Sequence, residues 1–146
     1  MSSPPHPQPL VWNSSAAIGI TAIDDQHARL CHLANRLLDH PDAPGHDEHV
    51  VDILTDLGRF LMLHFQTEEE HMQRLGMPAD EIASHRQAHN RIIDQYAELN
   101  LAAVRGQTHT ATEIFRLVRH WVSDHLDMDD LQIRAYTPNP GLQPVA

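Results

Sequence analysis

Four stretches of this chain repeat apolar residues at alternating spacings of three and four, and histidine or a carboxylate interrupts every repeat. The first reads Ile23, His27, Leu30, Ala34, Leu37, and the second Ile53, Leu57, Phe60, His64, Glu68, Met72. The third reads Ile82, His85, His89, Ile92, Tyr96, Leu99, Ala103, and the fourth Ile114, Val118, Trp121, His125. Such spacing lines up one stripe along one face of an α-helix, and four such stripes must bury one another. No Val/Ile/Thr-rich alternating segment competes as a strand. The connections are short, so neighbours in sequence run antiparallel. The expected fold is all-α: an antiparallel up-down-up-down four-helix bundle with an extended N-terminal arm.

Local signals set the boundaries. The first helix is expected from about Thr21 to Asp39, opened by a capping pair of Thr21 and Asp24 and stopped by Pro41. The second runs from about Asp47 to Leu75 and closes at Gly76; the third opens at Pro78 and reaches about Val104, with Gly106 beyond. The fourth starts near Thr110, where Thr110 and Glu113 make another capping pair, and runs to about Tyr136. Pro4, Pro5, Pro7 and Pro9 mark one end of the chain, and Pro138, Pro140 and Pro144 the other. The expected division is a disordered tail at 1–9, the bundle at 10–137 and a second tail at 138–146.

Composition narrows the functions. The 146 residues suffice for one domain with a core, and 20 acidic against 10 basic side chains give a formal charge of −10. That sign repels phosphate backbones and argues against nucleic acid as partner. The single cysteine, Cys31, allows no internal disulfide and reads as a small buried hydrophobe. Residues 1–8 lack the basic start and apolar stretch of a secretory signal, and no apolar run is long enough to insert in a membrane. A cytoplasmic monomer is expected, with tails that leave room for docking to a partner.

The thirteen histidines are the unusual count, and their position decides their meaning. In an up-down-up-down bundle the start of the first helix, the end of the second, the start of the third and the end of the fourth share one end. His27, His64, Glu68, His85, His89, His125 and Asp130 then fall at nearly one level, given a rise of about 1.5 Å per residue. Buried imidazoles and carboxylates offer each other few donors, and a metal cluster resolves that problem. His64/Glu68 and His85/His89 are i,i+4 pairs on one helix face. His125 and Asp130 are i,i+5 and point about 140° apart on an ideal helix. Either the helix widens there into a π-bulge or Asp129 is the ligand. Mixed imidazole and carboxylate donors suit iron, and the set is too large for one ion. If both carboxylates and one oxo or hydroxo group bridge two irons, the ion with three histidines is six-coordinate. Its partner with two keeps one open position.

The stretch Asp24-Asp25-Gln26-His27, the run His64-Phe65-Gln66-Thr67-Glu68-Glu69, the pair His85 and His89, and Trp121, His125 and Asp130 resemble the bacterial branch of the hemerythrin family. The resemblance spans roughly Leu10 to Pro138. It implies an oxygen-carrier bundle with a non-haem di-iron centre, whose tails leave room for docking to an oxygen-using or signalling partner; the chain is expected not to be an enzyme. His85, His89 and His125 would hold the saturated iron, His27 and His64 the open one, and Glu68 and Asp130 would bridge them. It favours Asp130 over Asp129. It implies end-on dioxygen binding at the open iron, with one electron from each ferrous ion and a proton from the bridging hydroxide. Leu30, Phe65, Trp121 and Val122 flank these positions and are expected to wall a dry oxygen pocket. Ile133 stands three residues after Asp130, where some relatives carry tyrosine.

Other uses of such a centre are a redox or oxygen sensor module, or an oxidase, peroxidase or nitric-oxide-handling enzyme. A sensor needs an output domain or partner. Ferritin-like oxidases use carboxylate-rich sets with Glu-x-x-His pairs, whereas this set is histidine-rich and carries less charge. Less charge stabilises the ferrous pair and suits reversible binding. Glu69 and Glu70 read as a solvated helix face, and His71 as surface. His6, His32, His40, His46, His49, His109 and His120 fall off the seams or in loops and read as exposed.

Overall fold

The computed structural model describes residues 7–106 and 109–137; the expected tail residues 1–6 and 138–146, with His6, lie outside them. The side chains of Asp129, Asp130 and Leu131 also lie outside the described residues. Four helices carry the chain: α1 Thr21–Asn35, α2 Glu48–Arg74, α3 Ala79–Val104 and α4 Ala111–Gln132. The first and last are each extended by a 3-10 turn, Arg36–Asp39 and Arg134–Tyr136. Among the described residues there is no β-strand, only an isolated bridge between Pro44 and Thr110. α1 packs against α2 and α4, and α2 against α3, which gives the expected antiparallel bundle.

The helix ends follow their local chemistry. Asp47 precedes α2 and its carboxylate accepts from the His49 N–H at 2.9 Å. Thr110 Oγ1 accepts from the Glu113 N–H at 3.2 Å, as its spacing predicts. Gly76 takes φ +71°, the left-handed cap that ends α2 without a Cβ penalty. The pair Thr21 and Asp24 behaves differently. α1 starts without a side-chain cap, and Asp24 instead accepts from the N–H groups of Ile18 at 2.9 Å and Gly19 at 3.2 Å. The chain entering α1 turns back over its first turn, and those loop donors take the carboxylate.

The N-terminal arm is fastened rather than loose from Gln8 onward. Leu10 exchanges two 2.8 Å hydrogen bonds with the Asn35 amide on α1, and the Gln8 carbonyl accepts from Arg119 on α4 at 3.0 Å. Leu10 and Trp12 pack on the core.

Two apolar clusters fill the bundle. The larger joins Leu30, Cys31, Leu33, Ala34 and Leu37 to Ile53, Leu54, Leu57, Leu61, Phe65, Ile92, Leu99, Ile114, Phe115, Val118, Trp121 and Val122. The smaller closes the other end with Ile18, Ile23, Met72, Met77, Ile82 and Ile133. The stripe on α2 is wider than the expected seam: Leu54, Leu61 and Phe65 are buried in it, and Phe60 is only partly covered. Gly58 lets α2 and α3 approach, because a Cβ there would collide with the Tyr96 ring, whose hydroxyl donates to the Leu54 carbonyl at 2.6 Å.

Candidate metal centre

Between the two apolar clusters lies one polar layer. His27 from α1, His64 and Glu68 from α2, His85 and His89 from α3, and His125 from α4 are each at most 2% exposed. Ligand atoms of His27, His64, Glu68 and His125 lie within 4.8 Å of one another, and so do those of Glu68, His85, His89 and His125. Glu68 and His125 belong to both groups. The layer therefore forms two adjoining donor sets with a carboxylate in common. The structure brings together six of the seven expected ligands. α4 is α-helical through Gln132 with no π turn, and the Asp130 side chain is outside the described residues.

Glu68 sits at the middle. Its Oε1 is 2.7 Å from His64 Nε2, 2.5 Å from His125 Nε2 and 3.7 Å from His89 Nε2. Its Oε2 is 3.8 Å from His85 Nε2. His64 Nε2 and His125 Nε2 approach to 2.9 Å. Nitrogens from four helices thus crowd one carboxylate.

The protonation of His64 can be traced outward. Thr67 Oγ1 donates to the Leu63 carbonyl at 2.9 Å, so it accepts from Gln26 Nε2 at 3.2 Å. That fixes the Gln26 amide with its oxygen 2.8 Å from His64 Nδ1, which must then donate. Burial pushes the His64 imidazole below its ordinary pKa, although Glu68 beside it pulls the other way. A neutral ring with its proton on Nδ1 presents a lone pair on Nε2 toward Glu68 and His125. Lone pairs and a carboxylate oxygen this close together make a favourable place for a cation, and the donor set fits a metal.

Two more polar groups back the layer. Gln132 Oε1 lies 2.9 Å from His85 Nδ1. Glu69 Oε1 lies 3.5 Å from His89 Nδ1, and its other oxygen 3.7 Å from Arg86. Glu69 is therefore not the solvated face its sequence neighbourhood suggests; at 29% side-chain exposure it leans onto a histidine of the layer. A carboxylate or amide behind each metal-binding imidazole is a general requirement, and it was the signal available for Glu69. Which group serves which ring is not local in sequence: Gln26 on α1 reaches His64 on α2, Gln132 at the end of α4 reaches His85 on α3, and Glu69 on α2 reaches His89 on α3.

Leu30, Phe65, Trp121 and Val122 are each at most 5% exposed. Phe65 stacks on the His89 ring with centroids 4.0 Å apart. Ile133 is fully buried in the smaller cluster, where it closes the layer from below with hydrocarbon. Cys31 is buried in the larger cluster, and burial pushes its thiol pKa up, which suits an inert core residue. No helix among the described residues is long and apolar enough to cross a membrane.

Known proteins agree with this architecture. Residues 18–135 match the Hemerythrin HHE cation binding domain. The chain is 30% identical over 122 residues to a bacteriohemerythrin of Stenotrophomonas maltophilia, covering 83% of this chain and 76% of that protein. It is 28% identical over 107 residues to a bacteriohemerythrin of Methylococcus capsulatus, covering 73% and 79%. A crystal structure of a hemerythrin mutant superposes with a TM-score of 0.75 at 25% identity, over 90% of this chain and 96% of that one. With its bundle fold, its buried histidine layer and these matches, the chain belongs to the hemerythrin family.

Proposed function

We propose that the chain holds two iron ions in this layer and binds dioxygen reversibly there, as a carrier, store or delivery protein. The observation that carries the reading is the layer itself: five buried histidines around one buried glutamate, sealed between two apolar clusters. His85, His89 and His125 are assigned to one iron, and His27 and His64 to the other. Glu68 and Asp130 are assigned to both, Glu68 because it belongs to both donor groups. Two ferrous ions held by these residues would supply the two electrons that reversible dioxygen binding needs.

The protein's own groups make that exchange reversible. Gln26 accepts from His64 Nδ1 and turns its Nε2 lone pair inward, and the Gln132 amide lies against His85 Nδ1. Leu30, Phe65, Trp121 and Val122 exclude water, which otherwise promotes loss of reduced oxygen species. Five histidines against two carboxylates leave the site with little negative charge, which favours ferrous iron over the higher oxidation states an oxidase needs. A crevice of about 200 Å³ between α3 and α4 has Trp121 and His125 in its wall and offers an entry path. The test is optical. Reduced, iron-loaded protein exposed to dioxygen should gain a visible charge-transfer band that disappears on deoxygenation through repeated cycles. Rapid one-way oxidation without the band would favour an enzyme.

A further inference from the structure

The turn between α1 and α2 carries chemistry that the buried layer does not use. His40-Pro41-Asp42-Ala43-Pro44-Gly45-His46-Asp47-Glu48-His49 contains three histidines and three acidic residues in ten. Short histidine-rich tracts of this kind are a compositional mark of metal binding. The folded turn adds geometry to the composition. The His40 and His49 rings lie face to face, with centroids 4.7 Å apart and planes within 4° of parallel. They line a concavity of about 140 Å³ together with Asp39, Asp52, Arg36 and Ile53. Arg36 is already committed, its guanidinium donating to Asp56 at 3.1 Å. Two carboxylates and an engaged arginine make the concavity a place for a cation, not an anion.

The scaffold under the two rings is braced. The Ala43 N–H donates to the His40 carbonyl at 3.1 Å, and the Asp47 N–H to the Pro44 carbonyl at 2.9 Å. From α4, the Ala111 N–H donates to the Ala43 carbonyl at 2.8 Å and the Thr112 hydroxyl to the Pro41 carbonyl at 2.9 Å. Asp47 caps the helix that bears His49. Both imidazoles therefore stand on fixed backbone, as a ligand pair must.

We propose that this turn is a second metal site. It takes one divalent cation of the zinc, nickel or copper class through His40 and His49, with Asp39 or Asp52 and water completing the shell. Nitrogen donors exclude calcium and magnesium, which want oxygen throughout. Two imidazole nitrogens on one such ion stand about 3.3 Å apart, given bonds of about 2.0–2.1 Å, and the two ring centroids here are 4.7 Å apart. The donors here are not gathered within 4.8 Å as those of the buried layer are, so this is the weaker site. It lies apart from the other: His49 and His64 are fifteen residues apart on α2, about 22 Å along the helix axis. A bound ion would tie the end of α1 to the start of α2.

The test is calorimetric titration of zinc chloride into the full, iron-loaded chain, with iron content measured before and after. One equivalent of zinc should bind with no iron released, and the melting temperature should rise. The double substitution His40→Ala/His49→Ala, at two exposed positions, should weaken that binding at least about tenfold while keeping iron content and helical signal. His109→Ala/His120→Ala, which removes two other surface histidines, should leave it unchanged. Absence of zinc binding in the parent, undiminished binding in the His40/His49 variant, or zinc uptake matched by iron loss would overturn the proposal.

Discussion

Replacing Gln26 with leucine tests how the layer is held together, through one atom that touches no metal. Gln26 Oε1 accepts the His64 Nδ1 proton at 2.8 Å and thereby keeps Nε2 bare toward Glu68. In Gln26→Leu without metal, the ring escapes the loss by moving its proton to Nε2, where Glu68 Oε1 waits 2.7 Å away. With metal that escape is closed, because Nε2 must bond the ion and the Nδ1 proton faces a methyl group. The penalty therefore falls on the loaded state alone. An unsatisfied buried donor costs about 1–3 kcal/mol, and removing a partner behind a metal-bound imidazole costs about 10–100-fold in affinity, which is about 1.4–2.7 kcal/mol. Anaerobic competition between the protein and a ferrous chelator measures the change. Gln26→Glu, which keeps an acceptor there, should bind at least as tightly as the parent. Metal affinity of Gln26→Leu within twofold of the parent, with an intact helical signal, would refute the assignment of the His64 tautomer.

Glu68→Ala removes the carboxylate common to both donor groups and should abolish loading of two irons per chain, read by metal analysis. Gly58→Ala drives a methyl group into the Tyr96 ring and threatens its hydrogen bond to Leu54, so it should cost about 1–3 kcal/mol in urea unfolding; an unchanged midpoint contradicts the close α2–α3 contact. Metal-free protein should lose stability on acidification. Burial lowers the His64 pKa in the folded state, so below about pH 6.5 the unfolded chain binds a proton that the folded one refuses. This contribution is full above that pH and declines as pH falls toward the folded value, by up to about 1.4 kcal/mol per unit. Urea titrations between pH 5 and 8 should show that slope, and His64→Leu should flatten it.

The sequence carried most of the architecture because the three-four spacing is a property of the helix itself. Its misreadings arose where a second element intervened. The spacing puts Phe60 in the α2 seam, yet the buried face lies one residue on, at Leu61 and Phe65, where Phe65 meets the rings of His89 on α3 and His125 on α4. Asp24 was paired with Thr21, yet the incoming loop offers Ile18 and Gly19 donors that no local pattern encodes. The convergence of the five histidines and Glu68 was legible because each breaks an otherwise apolar stripe at a calculable height. Gln26 sits next to His27 in sequence and serves His64 instead, across the α1–α2 interface, so only the fold reveals its partner. The side chains of Asp129 and Asp130 lie outside the described residues, and locating the second bridge falls to a comparison of Asp130→Asn with Asp129→Asn. Only Asp130→Asn should impair iron loading.

The most direct test of the whole account joins metal analysis to an anaerobic-to-aerobic optical titration on one sample of purified chain. The account predicts two irons per chain and a dioxygen-dependent visible band that rises and falls reversibly with oxygen pressure. A single metal per chain, or two irons that oxidise once without a reversible band, would contradict it.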